Sequence, residues 1–151
     1  MLVDTNVLSQ VTRPSGDLGV IGWIAEHFHE LSVPAPVVSE LVFGAYRQRD
    51  PIQRERLIAV TQALLERCRG KIVAFDEADA ELHGRLLGDG VRLGRTLPAG
   101  DAMIAAMALL RDLPVVTRNA RHFRPVGVRV IDPWQACSPA FPNSRTRTSA
   151  R

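Results

Sequence analysis

Three acids, Asp4, Glu40 and Asp101, together with the amide of Asn119, have the side-chain types for metal-dependent chemistry. Each lies where a predicted strand ends or a predicted helix begins, although they are far apart along the chain. Two carboxylates about 5 Å apart repel each other by roughly 3 kcal/mol at an effective dielectric near 20, so a cluster of three needs raised pKa values or a cation. Hard oxygen ligands without paired cysteines select Mg²⁺ or Mn²⁺ rather than zinc. If these side chains converge, the sequence predicts such a metal site.

Each acid also has a purely structural explanation. Asp4 can cap the turn that follows it, and Asp101 can be the N-cap of a helix. Glu40 lies near a helix start, where the helix dipole favours a negative charge. The acidic group that begins at Asp76 is a helix start of this kind, and capping explains it fully. Convergence in three dimensions is what separates the two explanations.

Apolar runs of strand type alternate with amphipathic helical segments along the chain. Strands are predicted at residues 1–3, 31–33, 71–75, 115–117 and 126–131. Helices are predicted at residues 20–29, 37–46, 51–69, 76–93 and 101–113. This alternation implies an α/β fold, with a central, mostly parallel sheet of four to five strands flanked by helices. Sites in such sheets lie beyond the carboxyl ends of the strands, where the acids are expected.

The composition is that of one ordinary domain. Hydrophobic residues make up 46% of the 151 residues and charged residues 23%, which predicts a packed core. The longest apolar run is about half of the roughly 20 residues that cross a bilayer, and the N-terminus lacks the basic segment of a signal peptide. We therefore expect a cytoplasmic protein with no membrane partner, in which Cys68 and Cys137 are reduced thiols. Residues 1–136 are expected to form the domain and residues 137–151 a disordered basic tail.

The net charge of +3 matches the three arginines of that tail, so the domain itself is neutral. Two basic segments, residues 47–71 and 111–129, can line a phosphate path or form solvated helix faces. Arg118 and Arg121 flank Asn119 and are the best candidates for binding phosphate, which arginine engages with two parallel hydrogen bonds. No histidine is assigned to the site, because His83 and His122 have no evident partner. Trp23 and Tyr46 are expected in the core or a dimer contact rather than stacked on bases.

Four segments that carry these residues resemble the PIN-domain family, especially the FitB-like branch of the VapC toxins. They are, in order, Met1–Leu8, Val37–Leu41, Pro98–Ala106 and Val116–Asn119, with Phe123 following. The resemblance extends over about residues 1–134. None of the four segments is specific alone, but their order and spacing across the whole chain are.

The resemblance implies a metal-dependent ribonuclease that hydrolyses phosphodiester bonds of single-stranded or looped RNA through a metal-activated water. Carried over by position, Asp4, Glu40 and Asp101 would bind Mg²⁺ or Mn²⁺ and Asn119 would join them in catalysis. Asn6 would orient Asp4, and Thr117 would complete the pocket. The resemblance also implies the toxin of a type II toxin–antitoxin pair, usually a homodimer. Its cognate antitoxin, of the VapB or FitA type, would insert a C-terminal segment into the acidic groove.

One position departs from the wider family. Many PIN domains have a fourth acid where this chain has Asn119, although the FitB-like branch resembles it here. An amide adds no charge, so one firmly held metal is the safer expectation than two. The alternatives are a PIN nuclease of RNA processing outside any toxin system and a catalytically silent PIN module that binds RNA or protein. An aspartyl-phosphate enzyme is disfavoured, because the only lysine, Lys71, lies mid-chain.

Overall fold

Five short strands, joined by helices, form the framework of the fold. The structure is a computed structural model that describes residues 1–95 and 97–136. The strands are β1 (Leu2–Val3), β2 (Val33–Pro34), β3 (Ile72–Val73), β4 (Val115–Val116) and β5 (Val130–Ile131). The helices are α1 (Thr5–Leu8), α2 (Leu18–His27), α3 (Ala35–Tyr46), α4 (Pro51–Arg67), α5 (Glu77–Arg92), α6 (Ala99–Leu110), α7 (Ala120–Phe123) and α8 (Pro133–Ala136). The predicted tail and Cys137 lie outside the described residues.

All strand pairings among the described residues are parallel. β1, β4 and β5 form one sheet in the order β1-β4-β5, and β2 pairs with β3. A single parallel bridge between Leu2 and Ser32 connects β1 to the second pair. The predicted α/β fold with a parallel sheet is confirmed, although each strand is shorter than the apolar run that predicted it.

The central strands β1 and β4 are inaccessible to solvent along their whole length. Continuous Leu and Val residues suit parallel strands that helices cover on both faces. α6 adds a buried face of small residues that includes Ala102, Ala105 and Ala106. No helix in the described ranges is long and apolar enough to cross a membrane. The buried Cys68 is a free thiol, as expected.

The N-termini of α5 and α6 show which of the predicted capping acids are in fact caps. Asp76 accepts a hydrogen bond from the Asp79 N–H, and the Asp79 carboxylate accepts one from the Asp76 N–H, both at 3.0 Å, so the predicted cap of α5 is confirmed. α6 begins two residues before Asp101, after Pro98. Asp101 is therefore not the N-cap of α6.

The predictions for the two aromatic residues Trp23 and Tyr46 have different outcomes. Trp23 is buried and stacks on the His27 ring, with centroids 4.2 Å apart, so its expected place in the core is confirmed. Tyr46, the last residue of α3, is 59% exposed, so it is not part of the core, and the dimer contact expected as the alternative stays a prediction.

One largely buried ion pair joins α5 to the end of α6. Arg111 donates to the two carboxylate oxygens of Asp79 over 2.5 and 2.9 Å. The Asp79 side chain is fully buried and that of Arg111 is 26% exposed. Burial raises the pKa of Asp79, but the hydrogen bonds from Arg111 and from the Asp76 backbone outweigh it, so the pKa lies below its ordinary value.

We expect Arg111→Gln to lower the free energy of unfolding by about 3 kcal/mol, because it leaves the Asp79 charge buried without its partner. Arg92→Gln is the matched control, since Arg92 pairs with Asp89 on the exposed face of α5 and such pairs contribute little. Urea unfolding at pH 7 measures both variants. Equal, small losses would show that the buried pair does not hold α5 against α6.

Candidate active site

The structure brings Asp4, Glu40, Asp101 and Asn119 to the wall of one open cavity of about 800 Å³. Asp4 directly follows β1, and Asn119 lies just beyond β4, the neighbouring strand. Glu40 comes from α3 and Asp101 from the first turn of α6. Parallel strands bring their carboxyl ends to one edge of the sheet, so residues more than a hundred positions apart meet there.

Asp4 is almost completely buried, and both of its carboxylate oxygens accept hydrogen bonds. Oδ1 accepts from the Thr5 N–H at 2.6 Å, which caps α1 as the structural explanation expected. Oδ2 accepts from the Thr117 hydroxyl at 2.5 Å and from the Asn6 amide at 2.7 Å. Thr117 in turn accepts from the Asn119 N–H at 3.0 Å. Asn6 and Thr117 therefore hold Asp4 in one orientation and tie it to the segment that follows β4.

Burial and the neighbouring carboxylates both disfavour the charged form of Asp4. Burial raises its pKa to about 6 from an ordinary value of 3.8, although the hydrogen bond from Thr117 opposes this rise. The negative charges of Asp101 and Glu40 contribute to the same rise of the pKa. A cation in the cavity would relieve both effects, because it favours the charged form of a neighbouring carboxylate.

Glu40 is held by two features of its surroundings. Its Oε2 accepts a hydrogen bond from the Thr5 hydroxyl at 2.5 Å. A methyl group at Gly100 would lie 2.5 Å from its Oε1, so only glycine at that position leaves room for this carboxylate. Because α3 begins at Ala35, Glu40 lies in the second turn, where the helix dipole contributes little. The dipole explanation offered for Glu40 is therefore wrong.

Asp101 is hydrogen-bonded to a histidine that sequence reasoning left out of the site. Its Oδ2 contacts Nδ1 of His122, and Nε2 of the same ring lies 3.2 Å from Nε of Arg121. The expectation that His122 has no partner is therefore wrong. Its spacing of three residues from Asn119, about one helical turn, placed His122 near the site but gave no signal that Asp101 was its partner.

The arginines of the cavity differ from those singled out in the sequence. Neither Arg118 nor Arg121 is among the residues that line it. The guanidinium of Arg118 lies 5.3 Å from the centre of the Trp134 ring, and Arg121 contacts His122. The residues that do line the cavity include three other arginines, Arg13, Arg47 and Arg56.

The donor set of the cavity suits a hard divalent cation. Carboxylates from Asp4, Glu40 and Asp101, with the amide oxygen of Asn119, are oxygen ligands. Within residues 1–95 and 97–136, no three His, Cys, Asp or Glu side chains are grouped so that they could hold one metal ion together. Mg²⁺ commonly binds through one or two carboxylates and keeps several waters, so these residues fit an open Mg²⁺ or Mn²⁺ site better than an enclosed structural one.

We expect the free energy of unfolding of the metal-free protein to fall as the pH rises from about 4 to about 6. Because the pKa of Asp4 is raised to about 6, the folded state binds this proton more tightly than the unfolded chain, and the advantage disappears as Asp4 ionises. The loss is on the order of 3 kcal/mol.

Urea unfolding of the wild type and of Asp4→Asn, both in EDTA, measures this loss. The variant cannot ionise at position 4, so the difference between the two pH curves isolates Asp4 from other titrating groups. A difference that stays constant over this pH range would contradict the raised pKa.

Comparison with known proteins finds relatives over most of the length of this chain. The PIN domain family matches residues 1–128. Toxin FitB of Neisseria gonorrhoeae is 31% identical over 89% of this chain and 98% of its own length. VapC ribonuclease Y4jK of Sinorhizobium fredii is 28% identical over the same shares, 89% and 98%. The crystal structure of FitAcB from Neisseria gonorrhoeae has a TM-score of 0.78 and 30% identity, over 88% of this chain and 97% of that one.

The matched residues 1–128 include all four of the resembling segments and every acid of the cavity. Identity near 30% over almost the full length of FitB adds agreement in sequence to agreement in fold. The chain therefore belongs to the PIN-domain family and is similar to its FitB and VapC members.

Proposed function

We propose that this protein is a Mg²⁺- or Mn²⁺-dependent endoribonuclease and the toxin of a type II toxin–antitoxin pair. The observation that carries the proposal is one cavity in which Asp4, Glu40 and Asp101 meet while arginines line the same walls. The names of two relatives, toxin FitB and VapC ribonuclease Y4jK, support both parts of the proposal.

The acids would hold the metal, and the residues around them would keep the acids in place. When bound, Mg²⁺ or Mn²⁺ supplies an activated water and neutralises charge on the scissile phosphate. Thr117 and Asn6 fix the orientation of Asp4, and the Thr5 hydroxyl holds Glu40. No ordering of these side chains is then required when substrate arrives, which lowers the barrier to reaction.

Three arginines give the cavity a place for the RNA backbone. Arg13, Arg47 and Arg56 line it, and none of them forms a salt bridge with another described residue. A guanidinium without an acidic partner is available for bidentate hydrogen bonds to phosphate. These three side chains would therefore hold the phosphates that flank the cleaved bond.

An exposed aromatic ring in the same cavity favours unpaired RNA. Phe43 is 64% exposed, lines the cavity, and has the Arg47 guanidinium 5.7 Å from its ring centre. Single-stranded RNA presents base faces that can stack on such a ring, whereas a duplex buries them. Single-stranded or looped RNA is therefore the proposed substrate.

The proposed partner is a cognate antitoxin of the VapB or FitA type. A C-terminal segment of such a partner, seated in the cavity, would exclude RNA by occupying the same volume. The homodimer that the resemblance implies stays a prediction. A role in RNA processing outside a toxin system has no observation of its own in its favour.

The purified protein should cleave a 5′-labelled single-stranded RNA in Mg²⁺ or Mn²⁺, leaving 5′-phosphate and 3′-hydroxyl ends. Asp101→Asn should lower the rate by about 100-fold or more, because it removes a charge at the centre of the site, and EDTA should abolish cleavage. Asp89→Asn makes the same charge change on the exposed face of α5 and should cleave as the wild type does. Cleavage that survives EDTA, or an Asp101→Asn protein as active as the wild type, would refute the proposal.

The arginines are tested by binding rather than cleavage. In the Asp101→Asn background, Arg47→Gln and Arg56→Gln should each weaken binding of a single-stranded RNA. Each should also reduce the slope of log affinity against log salt by about 0.7, the value for one phosphate contact on a single strand. Arg85→Gln changes the same charge outside the cavity and should not alter the slope. Identical slopes in all of these proteins would exclude the arginines from the phosphate path.

A further inference from the structure

His122 forms a hydrogen-bonded chain between Arg121 and Asp101 that the mechanism above does not use. Nδ1 of the ring contacts Oδ2 of Asp101, and Nε2 lies 3.2 Å from Nε of Arg121. The His122 side chain is 21% exposed and that of Asp101 16%, so water has little access to their contact. These hydrogen bonds therefore form a partly buried connection between the surface and one acid of the cavity.

The direction of the hydrogen bonds follows from the chemistry of arginine. Nε of Arg121 has a hydrogen to donate and no lone pair to offer, so Nε2 of His122 must accept. The ring proton is then on Nδ1, which donates to Asp101. The backbone of His122 is fixed as well, because its N–H donates to the Asn119 carbonyl at 2.9 Å in the turn that begins α7.

The same kind of restraint is present on the other two acids. Asp4 is held by the Thr117 hydroxyl and the Asn6 amide, and Glu40 by the Thr5 hydroxyl. Asp101 accepts no hydrogen bond from a described side chain other than His122, and its Oδ1 has no such partner among the described residues. Without His122, Asp101 would be the one acid of the three free to change rotamer.

We propose that His122 is a positioning residue that holds Asp101, through Oδ2, in the orientation in which this carboxylate would bind the metal. Hydrogen-bonded partners of metal-binding groups typically change metal affinity by 10- to 100-fold, because they fix the orientation of the ligand. Arg121 contributes indirectly, by keeping the ring in the tautomer that can donate to Asp101. This inference rests on the proposed metal-dependent function.

Two substitutions at position 122 separate the Nδ1 hydrogen bond from the rest of the side chain. The amide nitrogen of Asn lies where His places Nδ1, so His122→Asn can still donate to Asp101. The longer side chain of Gln places its amide near Nε2, so His122→Gln loses the bond to Asp101. Both variants are neutral and carry the same amide group, and they differ by the one methylene that moves the donor.

Mn²⁺ alone is the probe, and the electron paramagnetic resonance signal of free Mn²⁺ reports its binding to the full chain. We expect wild type and His122→Asn to bind Mn²⁺ within about threefold of each other, and His122→Gln to bind it about tenfold more weakly or worse. Circular dichroism melting confirms that both variants are folded. Wild-type Mn²⁺ affinity in folded His122→Gln would overturn the inference.

A second measurement needs no metal and no substitution at position 122. The ¹⁵N shifts of the His122 ring should report a proton on Nδ1 and none on Nε2, and Arg121→Met should convert this to a mixture of tautomers. A wild-type ring protonated on Nε2 alone would overturn the inference even if His122→Gln does not fold.

The two hypotheses fail in different ways. If the wild type neither binds Mn²⁺ nor cleaves RNA, the proposed function is wrong and the positioning role falls with it. If the wild type does both and His122→Gln matches it, only the positioning role is wrong.

Discussion

Three carboxylates that share a cavity repel one another, and the fold keeps them together in spite of that repulsion. The strain is visible in Asp4, whose pKa is raised by burial and by the charges of Glu40 and Asp101. Packing of the apolar residues of β1 and β4 stabilises the sheet edge on which the acids lie. The hydrophobic core thus offsets an unfavourable electrostatic arrangement, which a cation in the cavity would relieve.

The donors that hold the acids also connect distant parts of the chain. Thr117 joins the end of β4 to Asp4 at the end of β1, and Thr5 joins α1 to Glu40 on α3. His122 joins α7 to Asp101 on α6. Each link therefore crosses between two elements, so the positions of the acids are set by how those elements pack. A site held in this way needs little reorganisation when substrate binds.

Features that depend on local sequence pattern could be predicted, whereas side-chain contacts that depend on how the helices pack could not. Strand positions, the Asp76 cap and the acids at the sheet edge all follow from periodicity and from the parallel-sheet rule. Among the arginines of the cavity, Arg13 lies between α1 and α2, Arg47 directly follows α3 and Arg56 lies within α4. No pattern within those segments shows which of their side chains turn toward the site. His122 was missed because a contact between side chains 21 residues apart depends on how α7 lies against α6.

Gly100 shows that an inventory of acids is an incomplete description of this site. Every replacement of a glycine adds at least one carbon, and at this position that carbon would meet the end of Glu40. Because the end of a Glu side chain is flexible, the collision would move the carboxylate and leave the fold intact. Under the proposed function, a substitution at this one position would displace Glu40 from the metal site while every acid of the cavity is retained. A comparison of sequences that looks only for lost carboxylates would overlook such a change.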